Sequence, residues 1–125
     1  MNSTAPTTTV TKSEKEESPC ACNLHVFNQV EKQRHSELMR KLDEATLETA
    51  ELEDGYGFKL RVNVVTVTDV AEWITYERLC CPFFSFEIEL QPENRALWLR
   101  LRGGTKVKEF LRPDVERHAV FEPKF

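Results

Sequence analysis

Apolar positions along this chain follow two spacings, one typical of helices and one typical of strands. The first clear helical stripe recurs every three or four residues and predicts a helix from about Gln29 to about Glu44. Asn28 has the character of an N-cap residue, and Glu31, three residues later, can complete a capping box. The residues predicted to face the core are His35, Leu38, Met39, Leu42 and Ala45.

Two candidate strands follow this helix and are joined by a predicted turn. Residues 47–52 and 57–64 flank the dipeptide Asp54-Gly55, which is typical of a hairpin turn. Apolar and polar residues alternate in the second segment, as expected of a strand with one buried face. Residues 46–50 could instead extend the preceding helix, so the second strand of this hairpin is the better defined.

A second hairpin is predicted further along the chain. Residues 84–90 alternate between apolar and polar side chains, residues 92–95 have the composition of a turn, and residues 97–102 alternate again. Two acids of the first strand would face two arginines of the second: Glu87, Glu89, Arg100 and Arg102. Such cross-strand pairs favour the hairpin by about a few tenths of a kcal/mol each.

Between the hairpins the helical spacing returns and predicts a second helix over residues 69–81. Thr68 or Asp69 is the predicted N-cap, with Glu72 completing a capping box from Asp69. Pro82 lacks an amide hydrogen and disfavours a helical conformation for the residue before it, so this helix should end at the two cysteines. Its apolar stripe begins with Val70, Trp73 and Ile74.

A short third helix is predicted over residues 106–111 and should be stopped by Arg112-Pro113. The element order predicts a two-layer α+β fold, with a four-stranded, largely antiparallel sheet covered on one face by helices. We assign this domain to residues 20–112. A polar, disordered arm over residues 1–19 would precede it. A tail over residues 113–125, with apolar residues that could dock on the domain or on a partner, would follow.

Composition narrows the functional classes. The 125 residues carry a net charge of -4, with a pI near 5.4, and show no basic stripe, so no nucleic-acid partner is expected. No apolar run approaches the roughly 18 residues of a membrane helix, and the N-terminus lacks the apolar segment of a signal peptide. Four cysteines in such a chain indicate reduced thiols in the cytoplasm.

The second helix places an acid and two thiols on its apolar face. Continuing that stripe by three and four residues reaches Glu77, Cys80 and Cys81. A buried carboxylate must be paired, protonated or bound to a cation. Together with two thiolates it offers three donors to a soft or borderline metal ion, such as zinc or a thiophilic heavy metal. His35, on the stripe of the first helix, could be a further ligand or a proton acceptor.

The same residues also fit a simpler interpretation. Buried free cysteine often acts as a small hydrophobe, so Cys80 and Cys81 could be core residues, with Glu77 paired to a lysine or an arginine. A histidine on an apolar stripe is commonly a core residue with one satisfied nitrogen. A disulfide between sequence neighbours is strained, because their Cα atoms are closer than a normal bridge allows. We therefore expect two thiols at this pair.

Six segments resemble a family of small, largely uncharacterised bacterial proteins with a Cys-Cys-Pro-Phe motif; they are residues 22–24, 31–35, 52–56, 71–74, 77–84 and 108–111. Related modules follow the DNA-binding part of some MerR-type, metal- or thiol-responsive regulators. This chain has no helix-turn-helix segment of its own, so the resemblance implies a stand-alone sensor-like or metal-handling module. It singles out Cys22, His35, Glu77, Cys80 and Cys81, with Cys20 as an additional cysteine.

Three functions stay open at this point. The first is binding of a metal ion, with Cys22 or His35 completing the ligand shell. The second is a thiol enzyme or redox protein, which needs a cysteine of lowered pKa and is disfavoured by an ionised acid beside the thiols. The third is a structural or protein-interaction domain whose cysteines only pack. The metal hypothesis is preferred because the acid and both thiols share one helical face opposite a histidine.

Overall fold

The computed structural model describes residues 24–118, 120 and 121; the predicted arm over residues 1–19 lies outside them. The helices in this part of the chain are α1 (Gln29–Ala45), α2 (Val67–Cys80) and α3 (Thr105–Glu116), with short 3-10 turns at Leu24–Val26 and Pro92–Asn94. The strands are β1 (Thr46–Leu52), β2 (Gly55–Leu60), β3 (Ser85–Leu90) and β4 (Leu97–Arg102). Residues 46–50 therefore belong to a strand and do not extend α1.

The four strands form one antiparallel sheet in the order β1-β2-β4-β3. The two predicted hairpins supply its outer pairs, and β2 pairs with β4 in the middle, which confirms the predicted α+β fold. The predicted cross-strand charge pairs are also confirmed. Arg100 Nη2 lies 2.8 Å from Glu89 Oε1, and Arg102 Nε lies 3.0 Å from Glu87 Oε2.

The helices cover one face of this sheet, and the core lies between the two layers. On β4, Leu97, Leu99 and Leu101 are almost fully buried, whereas the alternating Arg100 and Arg102 are partly exposed. The side chains that the helices contribute to the same core include Leu38, Leu42, Val70, Trp73, Val107 and Leu111. Burial on one side of the strands is the pattern that their alternation predicted.

The start and the buried face of α1 are as predicted. The side chain of Asn28 accepts a hydrogen bond from the Glu31 amide at 2.8 Å, and the Glu31 carboxylate accepts one from the Asn28 amide at 2.9 Å. This reciprocal pair is the predicted capping box. The buried residues of the helix are His35, Leu38, Met39, Leu42 and Ala45, which confirms the predicted stripe.

The predicted N-cap of α2 at Thr68 or Asp69 is wrong, because the helix begins earlier. Thr66 is the N-cap: its hydroxyl accepts a hydrogen bond from the Asp69 amide at 3.0 Å. The Asp69 carboxylate in turn accepts one from the Thr66 amide at 3.1 Å. The capping box therefore starts at Thr66 and ends at Asp69, which leaves Glu72 available for a contact with another helix.

Ion pairs link α1 to α2. Arg34 donates hydrogen bonds of 2.9 Å and 2.7 Å to the two carboxylate oxygens of Glu72. Further along α1, Lys41 Nζ lies 3.4 Å from Asp69 Oδ2. The later residue of α1 thus contacts the earlier residue of α2, so the two helices run antiparallel. This register places His35 on the side of α1 that faces the C-terminal half of α2.

The prediction that Arg112-Pro113 ends the last helix is wrong, because α3 continues to Glu116. Pro113 removes one backbone donor near the end of the helix. Phe121 is only 2% exposed and packs edge-on against Phe58 and Trp73, with ring centroids 5.0 and 5.5 Å away. Part of the predicted tail therefore docks on the domain and contributes to its core.

Candidate metal centre

An acid and two cysteines converge at the C-terminal end of α2. Glu77, Cys80 and Cys81 are all buried, and one potential ligand atom from each lies within 4.8 Å of the other two. The two sulfur atoms are 3.7 Å apart, so the two cysteines are not bonded to each other. A carboxylate oxygen and two sulfurs at this spacing form a group that could hold a metal ion.

The end of α2 explains why both sulfurs reach the same place. In a continuous helix, consecutive residues point about 100° apart. Cys81, however, is the C-cap: its φ and ψ of -134° and 69° are not helical, and its amide donates to the Glu77 carbonyl at 2.6 Å. Pro82 follows directly and prevents the helix from continuing. The predicted end of this helix at the cysteines is therefore confirmed.

His35 reaches this group through the carboxylate. Its Nε2 lies 2.6 Å from Glu77 Oε2, and the two side chains are 2% and 6% exposed. This distance is short for an N–H···O hydrogen bond, so the two buried side chains are in direct polar contact. Residues behind a metal ligand commonly orient it through such a bond. The geometry therefore gives His35 a means of holding the Glu77 carboxylate in place.

Aromatic side chains that the sequence analysis did not name as site residues surround the group. Phe27, Tyr76, Phe83 and Phe84 pack with the two cysteines. Phe27 and Tyr76 also meet edge-on at 5.4 Å, and each contacts the ring of His35, at 5.3 and 6.0 Å. Phe27 directly precedes the Asn28 cap and Tyr76 directly precedes Glu77, and these positions were the available signal in the sequence. These rings exclude water, which strengthens electrostatic interactions inside the site.

Of two cavities in the structure, one is lined in part by Glu77 and the other by none of the three candidate ligands. A small one of about 40 Å³ lies against His35 and Glu77 and is otherwise lined mostly by apolar side chains. A larger one of about 300 Å³ lies between the end of α1, β1 and residues 115–121, and none of its lining residues belongs to the acid–cysteine group. We place the candidate site at Glu77, because that is where buried ligating atoms converge.

Cys80 is a free thiol with a strongly perturbed pKa. Burial, and secondarily the negative charge of Glu77, raises the pKa of Cys80 to about 12. A thiol of this pKa is protonated at neutral pH and is a poor nucleophile. The site therefore disfavours Cys80 as the nucleophile of a thiol enzyme. A metal ion bound at Cys80 must displace its proton.

We expect Cys80 of the folded, metal-free protein to resist alkylation at about pH 8 and to react as the pH approaches 12. In denaturant the same thiol should react near its ordinary pKa of about 8.5. The pKa of Cys80 is higher in the folded state than in the unfolded state. The free energy of unfolding should therefore fall as the pH rises from the unfolded-state pKa to the folded-state pKa. Mass spectrometry of iodoacetamide-treated protein measures the labelling; rapid native labelling of Cys80 near pH 8 contradicts the expectation.

Cys81 differs from its neighbour because it is in a disulfide bond. The expectation of two thiols is therefore correct for Cys80 and wrong for Cys81. A sulfur atom in a disulfide is not a thiolate, so metal binding through Cys81 requires that this bond first be reduced.

The five residues singled out from the sequence thus have three different placements. Glu77, Cys80 and Cys81 converge within ligand range of one another. His35 contacts Glu77 directly and is not part of the group whose ligand atoms all lie within 4.8 Å of one another. Cys22 lies outside the described residues, so its predicted role as a ligand stays a prediction.

Comparison of the chain with protein-family models, with curated proteins and with solved structures finds no match. The resemblance to the Cys-Cys-Pro-Phe proteins accordingly stays a prediction based on the motifs themselves. Within the described residues, none of the helices combines the length and the apolar character that a membrane span requires. The functional argument therefore depends on the geometry of the site.

Proposed function

We propose that the reduced protein binds one soft or borderline metal ion, zinc or a thiophilic heavy metal, through Glu77, Cys80 and Cys81. The observation that carries this proposal is the convergence of their ligand atoms within 4.8 Å in a buried site. Thiolates favour zinc and softer ions, and a carboxylate oxygen is a common additional ligand. A bound cation also supplies a physical reason for burying an acid and two cysteines together, since each is costly to ionise alone.

The proposed role is sensing or handling of this ion. It is supported by the resemblance to modules that follow the DNA-binding part of MerR-type regulators. A tetrahedral zinc site needs a fourth donor, for which Cys22 and His35 are the proposed candidates. We place the protein in the cytoplasm, where thiols are kept reduced and can lose their protons to a metal ion.

A metal titration of the reduced protein tests this function. We expect one equivalent of zinc or cadmium to bind in competition with a chelator. The double variant Cys80→Ser/Cys81→Ser should bind at least about 100-fold more weakly, because loss of direct ligands should cost no less than loss of the residues behind them. If neither protein binds zinc or a softer ion, the proposed function is wrong.

The main alternative is a structural or protein-interaction domain in which the cysteines only pack. It predicts that the same double variant loses about 1–3 kcal/mol of stability and shows unchanged behaviour toward metals. A thiol redox protein is a further candidate, favoured by the disulfide at Cys81 and disfavoured by the raised pKa of Cys80. The titration separates the metal function from both alternatives, because only the metal function predicts that the double variant binds metal more weakly than the unsubstituted protein.

A further inference from the structure

The strand β3 forms one edge of the sheet. Within the described residues, β4 is its single strand neighbour, and the pairing runs without a register shift from Ser85 to Leu90. In an antiparallel pair, every second residue of a strand directs its amide and carbonyl groups away from the partner. A regular edge of this kind is a template for one more strand.

The strand at the opposite edge, β1, is less regular. Its pairing with β2 shifts register between Thr46 and Glu48, which marks a bulge or a similar irregularity. Bulges at sheet edges disrupt the ladder and are one of the devices by which proteins prevent further pairing. Of the two edges, β3 is therefore the better suited to accept another strand.

A groove between β3 and α2 lies beside this edge. At the Ser85 end of the strand it has a volume of about 490 Å³ and is lined by Ile74, Arg78, Phe84, Ser85, Phe86 and Ile88. At the other end, a depression of about 500 Å³ is lined in part by Leu90, Thr66 and Val67. We call these two depressions together the edge groove. A strand added to β3 would point every second side chain into it.

The edge groove offers apolar surface to those side chains. Ile74 of α2 and Phe86 and Ile88 of β3 are only partly buried, and Leu90 is 59% exposed. Burying apolar surface of this kind favours association. The side chains that enter the groove from an added strand should therefore be apolar.

The charges on the other face of β3 restrict the partner further. Glu87 and Glu89 alternate with the apolar residues, and their side chains are 50% and 55% exposed. Each pairs with an arginine of β4 on one side, so an added strand would place its own side chains on the opposite side. Opposite charges at cross-strand positions are favourable, and like charges directly opposite are unfavourable. Basic side chains thus fit this face of an added strand.

We propose that the β3 edge binds an extended peptide segment of a partner protein in which apolar residues alternate with lysine or arginine. Main-chain hydrogen bonds to β3 supply the affinity, and the alternating side chains supply the specificity. A second copy of this chain fits less well, because pairing β3 with itself brings Glu87 and Glu89 of one copy beside the same acids of the other. The proposal is independent of metal binding at Glu77.

Binding of synthetic peptides to the full-length chain tests this inference. The first peptide alternates valine and lysine over about seven residues, the length of a typical strand, and the second has glutamate in place of each lysine. We expect the lysine peptide to bind at least about 10-fold more tightly, as measured by fluorescence anisotropy. A third peptide, with the lysine sequence but methylated backbone nitrogens, keeps the charge and cannot donate main-chain hydrogen bonds. It should bind at least about 10-fold more weakly than the first.

Matched variants of the two edge strands locate the effect. Glu87→Gln/Glu89→Gln removes both charges of β3, while its amides can still accept hydrogen bonds from Arg100 and Arg102. In this variant the preference for the lysine peptide over the glutamate peptide should largely disappear. The same change on β1, Glu48→Gln/Glu51→Gln, should leave the preference intact. Amide NMR shifts caused by the lysine peptide should be centred on Ser85–Leu90.

Several results overturn the inference and leave the metal function untouched. They are failure of the lysine peptide to bind, equal affinities for the lysine and glutamate peptides, and equal affinities for the lysine peptide and its methylated form. Amide shifts centred on Thr46–Leu52, or a preference abolished by the β1 variant, would place the peptide elsewhere and also overturn it. A dimer that pairs through β3, detected by sedimentation and by shifts at this strand on dilution, would assign the edge to a second copy instead.

Discussion

Replacing His35 by phenylalanine is expected to lower the free energy of unfolding by about 1–3 kcal/mol, because the buried Glu77 carboxyl loses its hydrogen-bond partner. Phenylalanine can keep the ring contacts with Phe27 and Tyr76, so the loss reports mainly on Glu77, which would remain buried without its 2.6 Å partner. Urea denaturation of both proteins in the same redox state measures the difference.

The matched control for this variant removes both polar groups. In His35→Phe/Glu77→Leu no buried carboxylate is left uncompensated, so much of the lost stability should return. The double-mutant cycle should give a coupling energy of about 1–3 kcal/mol between the two positions. A loss below about 1 kcal/mol for His35→Phe alone would show that the contact is not a buried pair of this strength.

Replacing Glu77 by glutamine should change metal affinity and thiol reactivity in opposite directions. The glutamine side chain has nearly the same shape and can still accept a hydrogen bond from His35, but it cannot supply a charged oxygen to a cation. We therefore expect metal affinity to fall at least about 100-fold. Burial still keeps the pKa of Cys80 high, but loss of the Glu77 charge should lower that pKa and speed alkylation at alkaline pH.

These opposite changes in metal affinity and thiol reactivity distinguish two roles of Glu77: binding the ion directly, or only raising the pKa of the neighbouring thiol. If Glu77 acted only by raising the pKa of Cys80, the glutamine variant would hold more thiolate and would bind metal more tightly. Chelator competition and a pH series of alkylation on the same preparations give both quantities. Tighter metal binding by the variant would remove Glu77 from the ligand set.

The parts of this fold that local spacing controls could be predicted from the sequence. The stripe through His35 and the alternation around Leu99 follow directly from the periods of a helix and a strand. Glu77 and Cys80 share a site for the same reason, since they are three residues apart on one helix, whereas Cys81 joins them because the helix ends there.

Features that depend on tertiary contacts could not be predicted in the same way. The sequence fits a capping box from Thr66 to Asp69 as well as one from Asp69 to Glu72; in the structure the first forms, and Glu72 instead binds Arg34 of α1. Pro113 is a local stop signal, yet α3 continues to Glu116, and Phe121 beyond it is buried in the core.

The contact between His35 and Glu77 joins residues 42 positions apart. The sequence offered both as candidates, but only the antiparallel register of α1 and α2 brings them together. The state of Cys81 was also beyond local reasoning, because local spacing does not report which cysteines a fold brings within bonding distance. Sequence spacing thus identified the candidate ligands at the end of α2 and could not establish what surrounds them.

X-ray absorption spectroscopy of the reduced, zinc-loaded protein tests the central claim most directly, because it reports which atoms bind the ion. We predict at least two sulfur neighbours at about 2.3 Å, together with oxygen or nitrogen neighbours at about 2.0–2.2 Å. The sulfur contribution should be lost in the Cys80→Ser/Cys81→Ser variant. A first shell made only of oxygen and nitrogen atoms, or a spectrum unchanged in that variant, would contradict a metal centre at the end of α2.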